Sequence, residues 1–336
     1  MISRTRDRHR YISEFYSRRK LRKYIRNIRR FAPLKEHNAA NVLIPAQITI
    51  LKPGFRHLLM KAVGKLHSAA LRKQPIIIDF TNTVKIFPHA MLYLFSELNN
   101  LINLYPLLKV RCIPARNTKV NHVLDQIGLF KLCYYKFISN IEYDDVIHWR
   151  SISGIKVIGP AFDLLIDPHE ELPVLPYGLD IYGACIEATK NAFIHAYIGK
   201  RELSPVAFNK CAWWMFSQLR DNILTIAICD LGVGIPATLP KTNPSLVARI
   251  GKLFSGTLDA HLIKEAINEP SSRTGKSYRG NGLKKIADIA RNNLGATLAI
   301  HSGRGYVEIA RGKLWTSHYK QPFPGTLVVW KLPMEK

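Results

Sequence analysis

No apolar run in this 336-residue chain reaches the roughly 18 residues that a membrane span needs. The stretch around Leu92 to Leu108 is broken by Glu97, Asn99, Asn100 and Asn103, so no spanning helix is expected. The basic N-terminus lacks the apolar run and small-residue cleavage site of a secretory signal, and export is not expected either. Cysteine is scarce. Cys112, Cys133, Cys185, Cys211 and Cys229 stand at wide spacings with no CxxC pair, which excludes the common zinc and redox motifs. That usage suits buried thiols in a reducing cytoplasm. The phosphate loop GxxxxGK[ST] is absent, and the GxG that ends one strand lacks the third glycine and helix of a dinucleotide fingerprint. Acidic residues are also few: 24 Asp and Glu stand against 49 Lys and Arg, a net charge of +25. Such a field draws an acidic partner without naming it.

Apolar residues make up 47% of the chain and aromatics 10%, enough to bury two cores in a chain of this length. Residues 1–40 read as a basic arm, with 13 Lys and Arg against Asp7, Glu14 and Glu36. Within it Ile12, Phe15, Tyr16, Leu21, Tyr24, Ile25, Ile28 and Phe31 recur at helical spacing, with arginines between them. This amphipathic helix has three fates: docking on the first domain by its apolar stripe, contacting nucleic-acid phosphates through Arg4 to Arg30, or meeting an acidic protein or membrane face.

From 41 to 141, short apolar runs alternate with amphipathic segments, the pattern of a small α/β layer structure. Strands are expected at 41–50, 75–80 and 108–113, and helices at 54–71, 89–104 and 118–129. This order, carried by IIIDFTNTVKIFPHAMLYLFSELNNL and KVRCIPARNTKVNHVLDQIGLFKL, resembles the STAS domains of anti-sigma-factor antagonists. That family usually carries an Asp-Ser pair before the middle helix, its serine phosphorylated. Phe87, Pro88 and His89 stand there instead, so the resemblance implies a scaffold or docking module rather than a phosphoswitch. Residues 142–177, punctuated by Pro160, Pro168, Pro173 and Pro176, read as a linker.

Three segments of 178–336 carry the chemistry. LDIYGACIEATKNAFIHAY reads as a helix that puts Glu187 and Asn191 one turn apart on one face. By itself such a pair is ordinary helix surface. NILTIAICDLGVGIP is an apolar strand ending in Asp230, with Gly232 and Gly234 allowing a ligand or a neighbouring backbone to come close. RTGKSYRGNGLKKIADIARNNLG sets Gly280 and Gly282 before an amphipathic helix, whose free N–H groups and dipole suit phosphate. GATLAIHSGRGYVEI and GTLVVWKLP read as closing strands.

In this order the segments resemble the N box, the DxGxG adenine box, the glycine-rich lid and the closing GT strand of GHKL (histidine-kinase, gyrase, Hsp90-like) ATPases. The resemblance implies an α/β chain overall: a basic helix, a STAS-like domain and a C-terminal Bergerat-type sandwich. It implies Mg-ATP as ligand, with Asn191 holding Mg²⁺ and Glu187 activating the nucleophile as general base. It gives Asp230 the adenine amino group, with Gly232 and Gly234 shaping the pocket, Gly280 and Gly282 at the phosphates, and Thr326 reaching adenine through water. In the lid Lys276 and Arg279 are either cations for the γ-phosphate or solvated loop charges, and the segment from Lys241 to Ser277 is long enough to close over nucleotide. His195 reads as a packing or hydrogen-bonding residue rather than a phosphoacceptor, since no dimerisation helix pair of a histidine kinase precedes it. Fold similarity leaves the reaction open. A protein kinase similar to the anti-sigma-factor kinases, an ATPase switch that governs assembly or nucleic-acid binding, and a protein that keeps ATP as a structural ligand are all compatible, with a protein partner expected and an oligomer allowed.

Overall fold

The computed structural model describes residues 38–139, 143–147, 149–157, 178–199, 212–242, 244–253, 259–268 and 282–334. The basic arm thus lies, apart from its last three residues, outside the described residues. The fold is mixed α/β, with parallel pairing in the N-terminal part and antiparallel pairing in the C-terminal part.

Strands β1 (Ala40–Leu43) and β2 (Gln47–Ile48) precede helix α1 (Pro53–Leu71), and β3 (Ile76–Asp79) and β4 (Lys85–Ile86) precede α2 (Pro88–Leu104). Then come β5 (Val110–Ile113), α3 (Thr118–Gln126), α4 (Leu129–Leu132) and α5 (Asp144–Ile147). β1, β3 and β5 form a parallel sheet with β3 in the middle, and β2 pairs with β4. Proline opens both α1 and α2, where its missing N–H costs nothing and its φ is already helical. Asn117 caps α3 by accepting the Val120 N–H at 3.2 Å. The single strand expected over 41–50 is split, because Pro45 between β1 and β2 has no N–H to give a ladder. The helix expected over 118–129 stops at Gln126, since Gly128 turns left-handed (φ 81°) before α4.

The C-terminal elements are β6 (Trp149–Gly154), α6 (Gly178–Asn191) with a π-helical extension over Ala192–Ala196, β7 (Trp213–Arg220), β8 (Ile223–Asp230) and α7 (Ile235–Thr242). α8 (Pro244–Leu253), α9 (Asp259–Asn268), α10 (Gly282–Asn292), β9 (Thr297–Ala310) and β10 (Lys313–Pro333) follow. The five strands form one sheet in the order β6-β7-β8-β10-β9, antiparallel throughout. Part of the expected linker is therefore sheet: β6 lies in 142–177 yet pairs with β7 from Trp149 opposite Gln218 to Gly154 opposite Trp213. Its burial explains this, because Trp149 is sequestered edge-on to Phe216. The proline-rich remainder, 158–177, lies outside the described residues. β7 was not expected either. It joins β8 through Asp221 and Asn222, both at positive φ, the backbone that two-residue hairpins favour.

Side-chain alternation sorts this sheet into two faces. Trp214, Phe216, Ala227, Cys229, Leu327 and Val329 join the core of the N-terminal part, whereas Trp213, Met215, Ile226, Ile228, Val328 and Trp330 join a second core with α6 and α10. Helix α2 covers the first face and is apolar nearly all round, as a fully buried helix must be. Tyr93 packs on Phe323 with centroids 4.8 Å apart, Phe95 packs on Phe216 at 5.4 Å, and the Trp214 indole N–H donates to Asn99 Oδ1 at 3.1 Å. Glu97, fully buried on α2, is met by His67 of α1 at 2.9 Å. One apolar cluster thus runs from the parallel sheet to the antiparallel one.

Cys112, Cys133, Cys185 and Cys229 are buried free thiols, and Cys211 lies outside the described residues. Among the described residues no helix is long and apolar enough to cross a membrane.

Candidate nucleotide site

Helix α6 turns Ile181, Ala184, Cys185 and Ala188 into the second core, with Glu187 and Asn191, three residues on from Ala184 and Ala188, along the edge of that face. The start of α10 stands directly against these two residues. A Cβ at Gly282 would lie 3.0 Å from Glu187 Oε2 and 3.3 and 3.4 Å from the Asn191 amide oxygen and nitrogen. Any side chain there would push the amide and carboxylate away from the helix start. Glu187 is 17% exposed, and its Oε1 faces two ammonium groups, Lys190 at 3.5 Å and Lys285 at 3.9 Å.

The second group of residues sits at the end of β8. Asp230 follows Ile228 on the α6 face by alternation and is buried. Its Oδ1 accepts the Gly232 N–H at 2.9 Å, which ties the turn after the strand. Thr326 is its register partner on β10, and Thr326 Oγ1 lies 3.3 Å from Ser302 Oγ of β9. Ser302 also accepts from the Ile235 N–H at 2.8 Å and donates to the Gly325 carbonyl at 3.0 Å. Sequence reasoning passed over Ser302. Only the register of β9 against β10 brings its hydroxyl to the start of α7.

The π segment joins the two groups. Five residues after Asn191, the Ala196 carbonyl accepts the Val233 N–H at 2.8 Å. The Tyr197 hydroxyl accepts the Leu231 N–H at 3.2 Å and donates to the Ala212 carbonyl. The turn from Asp230 to Gly234 is thereby clasped to the end of α6. The glycines serve this close approach to the protein's own backbone: a Cβ on Gly232 would lie 2.2 Å from the Ala196 carbonyl oxygen. Gly325, at φ 94°, would bring one within 2.1 Å of the Asp230 carbonyl oxygen. Replacing Gly232 by Ala should therefore destabilise the fold by about 1–3 kcal/mol through overpacking. Replacing Gly64, exposed in mid-α1 with nothing within 4 Å of its Cβ position, should instead stabilise by about 0.5–1 kcal/mol. Urea melts of the two variants check both signs.

Glu187, Asn191 and Gly282 are thus brought together, as are Asp230, Gly232, Gly234 and Thr326. Lys276, Arg279 and Gly280 lie outside the described residues. The segment from Lys241 to Ser277, expected to close over a ligand, contains α8 and α9, and all of its described residues are helical. Leu246 and Ile250 of α8 pack with Leu262 and Ala266 of α9 and Leu239 of α7, and Asp259 at the start of α9 accepts the Arg304 N–H at 2.7 Å. His195 lies in the π segment, and burial, reinforced by Lys190, holds its pKa below the usual histidine range. No family model and no curated protein matches the chain, so this constellation is read from its own geometry.

Proposed function

We propose that this chain binds Mg-ATP at the end of α6, as a GHKL-type unit backed by a STAS-like one, and that it acts in the cytoplasm as an ATP-dependent regulator. The observation that carries this reading is the meeting of three distant segments: the Glu187 and Asn191 pair, the start of α10 at Gly282 set against that pair, and the Asp230 turn clasped to Ala196. The residues fit the ligand chemically. An amide oxygen from Asn191 suffices for Mg²⁺, which keeps waters and takes phosphate oxygens. A helix start carrying bare N–H groups favours phosphate. An ionised Asp230 carboxylate is an acceptor, the group an exocyclic adenine amine needs, and Thr326 and Ser302 add hydroxyls beside it.

Bound Mg-ATP supplies an electrophilic terminal phosphate. Toward it Glu187 is the general base, taking the proton of a water or hydroxyl nucleophile on a carboxylate oxygen, while Asn191 orients from one turn away. Water or another molecule is favoured as the acceptor over the chain's own STAS-like unit. His89, standing where that family carries its phosphorylated serine, is buried against His301 on the sheet face opposite α6. The parallel order of β1, β3 and β5 supports the STAS-like reading, and the engagement of α2 with β7, β8 and β10 favours a fixed backing over a free docking module.

Adenine recognition tests the reading. Asp230→Ala should weaken Mg-ATP binding by about 1–3 kcal/mol in a protein that remains folded, because the amine loses its acceptor. Calorimetry on this variant and on Asp230→Asn, which keeps an oxygen for the Gly232 N–H, separates turn stability from recognition. Unchanged affinity in both would remove adenine from this position.

A further inference from the structure

We infer that Lys285, one turn into α10, is the residue that distinguishes a nucleoside triphosphate from a diphosphate at this site. The inference rests on the Mg-ATP reading and extends it to a residue to which the motifs assign no role. Gly282 and Lys285 are three residues apart on one helix and therefore share a face. That face is turned to Glu187: the Gly282 Cβ position lies 3.0 Å from Oε2, and Lys285 Nζ lies 3.9 Å from Oε1. Lys190 approaches the same Oε1 from α6 at 3.5 Å. A lone carboxylate beside a polyphosphate would repel it, but two ammonium groups on one carboxylate turn the local charge from negative to positive. The first turn of α10 contains no acidic residue that could cancel this.

The two lysines differ in freedom. Both are at least half exposed, so each reaches Glu187 by a loose contact that a stronger anion can take over. Lys285, however, is carried on the helix whose start faces the phosphates, whereas Lys190 is on the same helix as Glu187 and stays beside it. In this reading Glu187 serves the terminal phosphate. A cation that pairs with Glu187 from α10 is accordingly placed for the γ-phosphate and beyond the reach of a chain that ends at the β-phosphate. When Lys285 leaves Glu187 for that phosphate, one carboxylate oxygen loses a cation and gains room for the nucleophile.

Equilibrium binding of Mg-ATP and Mg-ADP to the full chain tests this, using wild type, Lys285→Met, Lys285→Arg and the neighbouring Lys284→Met. Lys285→Met should lose about five- to tenfold in Mg-ATP affinity, the size of one ordinary net hydrogen bond, with Mg-ADP affinity held within twofold. Lys285→Arg should restore most of the preference for triphosphate, and Lys284→Met should leave both affinities alone. An equal loss for both nucleotides in Lys285→Met, or no loss for either, overturns the assignment while leaving the site intact. Failure of wild type to bind either nucleotide overturns the Mg-ATP reading itself, and the assignment with it.

Discussion

Glu187→Gln is expected to lower nucleotide turnover by about 10²–10⁴-fold while Mg-ATP affinity stays within a few-fold of wild type. Glutamine keeps the volume of the side chain beside Gly282 and an oxygen for Lys190 and Lys285, so the geometry at the helix start survives. It accepts no proton, and the nucleophile loses its base. Asn191→Ala should behave differently. It removes the amide oxygen proposed for Mg²⁺ and should lose the magnesium dependence of binding before any chemical step. Phosphate release and binding measured on both variants separate the two roles. Wild-type turnover in Glu187→Gln would sink the assignment of the base, and absence of turnover in wild type with its partner present would make ATP a structural or switching ligand.

The segments that meet at this site were legible in the sequence because each signal is local. Period 3.6 puts Glu187 and Asn191 on one helix face, an apolar run stopping at Asp230 marks a strand end, and Gly282 opens an amphipathic helix. The glycines were legible as close approaches, but the approaching group was not: Ala196 meets Gly232 only because a π segment continues α6. β7 was missed since Trp213, Trp214, Met215 and Phe216 are buried on both faces and show no alternation. The relation between the two units was hidden for a related reason. Apolar residues on every side of α2 show that it is buried, yet only the register of β7, β8 and β10 says against what. Lys285 lay hidden among surface lysines of a helix whose packing partner is remote in sequence.

The same seam makes acid sensitivity the other large expected effect. Where α1 and α2 meet β9 and β10, three basic groups are buried together: Arg56, His89 and His301. The Arg56 guanidinium lies 3.7 Å from the Tyr319 ring centroid and donates through Nη2 to the Gln321 carbonyl at 2.9 Å, but its Nε and Nη1 have no acceptor among the described residues. His89 stacks on His301 at 6.4 Å, and the Tyr319 hydroxyl is 3.4 Å from His301 Nδ1. Lys331 adds to the positive potential at His89, and Glu308 accepts a hydrogen bond from Tyr306 at 2.8 Å. Burial, and then Lys331, pushes His89 down to about 4; burial, then His89 and Arg56, holds His301 well below the usual range. Both histidines are therefore neutral in the folded chain at pH values where an unfolded histidine, with a pKa near 6.5, takes up a proton. Between about 6.5 and 4 the unfolded state binds more protons, so stability falls as pH falls through that window. At pH 5 His89 alone should cost about 2 kcal/mol relative to pH 7.5, with His301 acting in the same direction. A His89→Phe, His301→Phe double variant should lose this component. Urea unfolding at pH 7.5 and 5.0 reads it directly: the wild-type midpoint should drop more than that of the double variant, and equal drops would mean that the two histidines take up protons in the folded chain as readily as in the unfolded one.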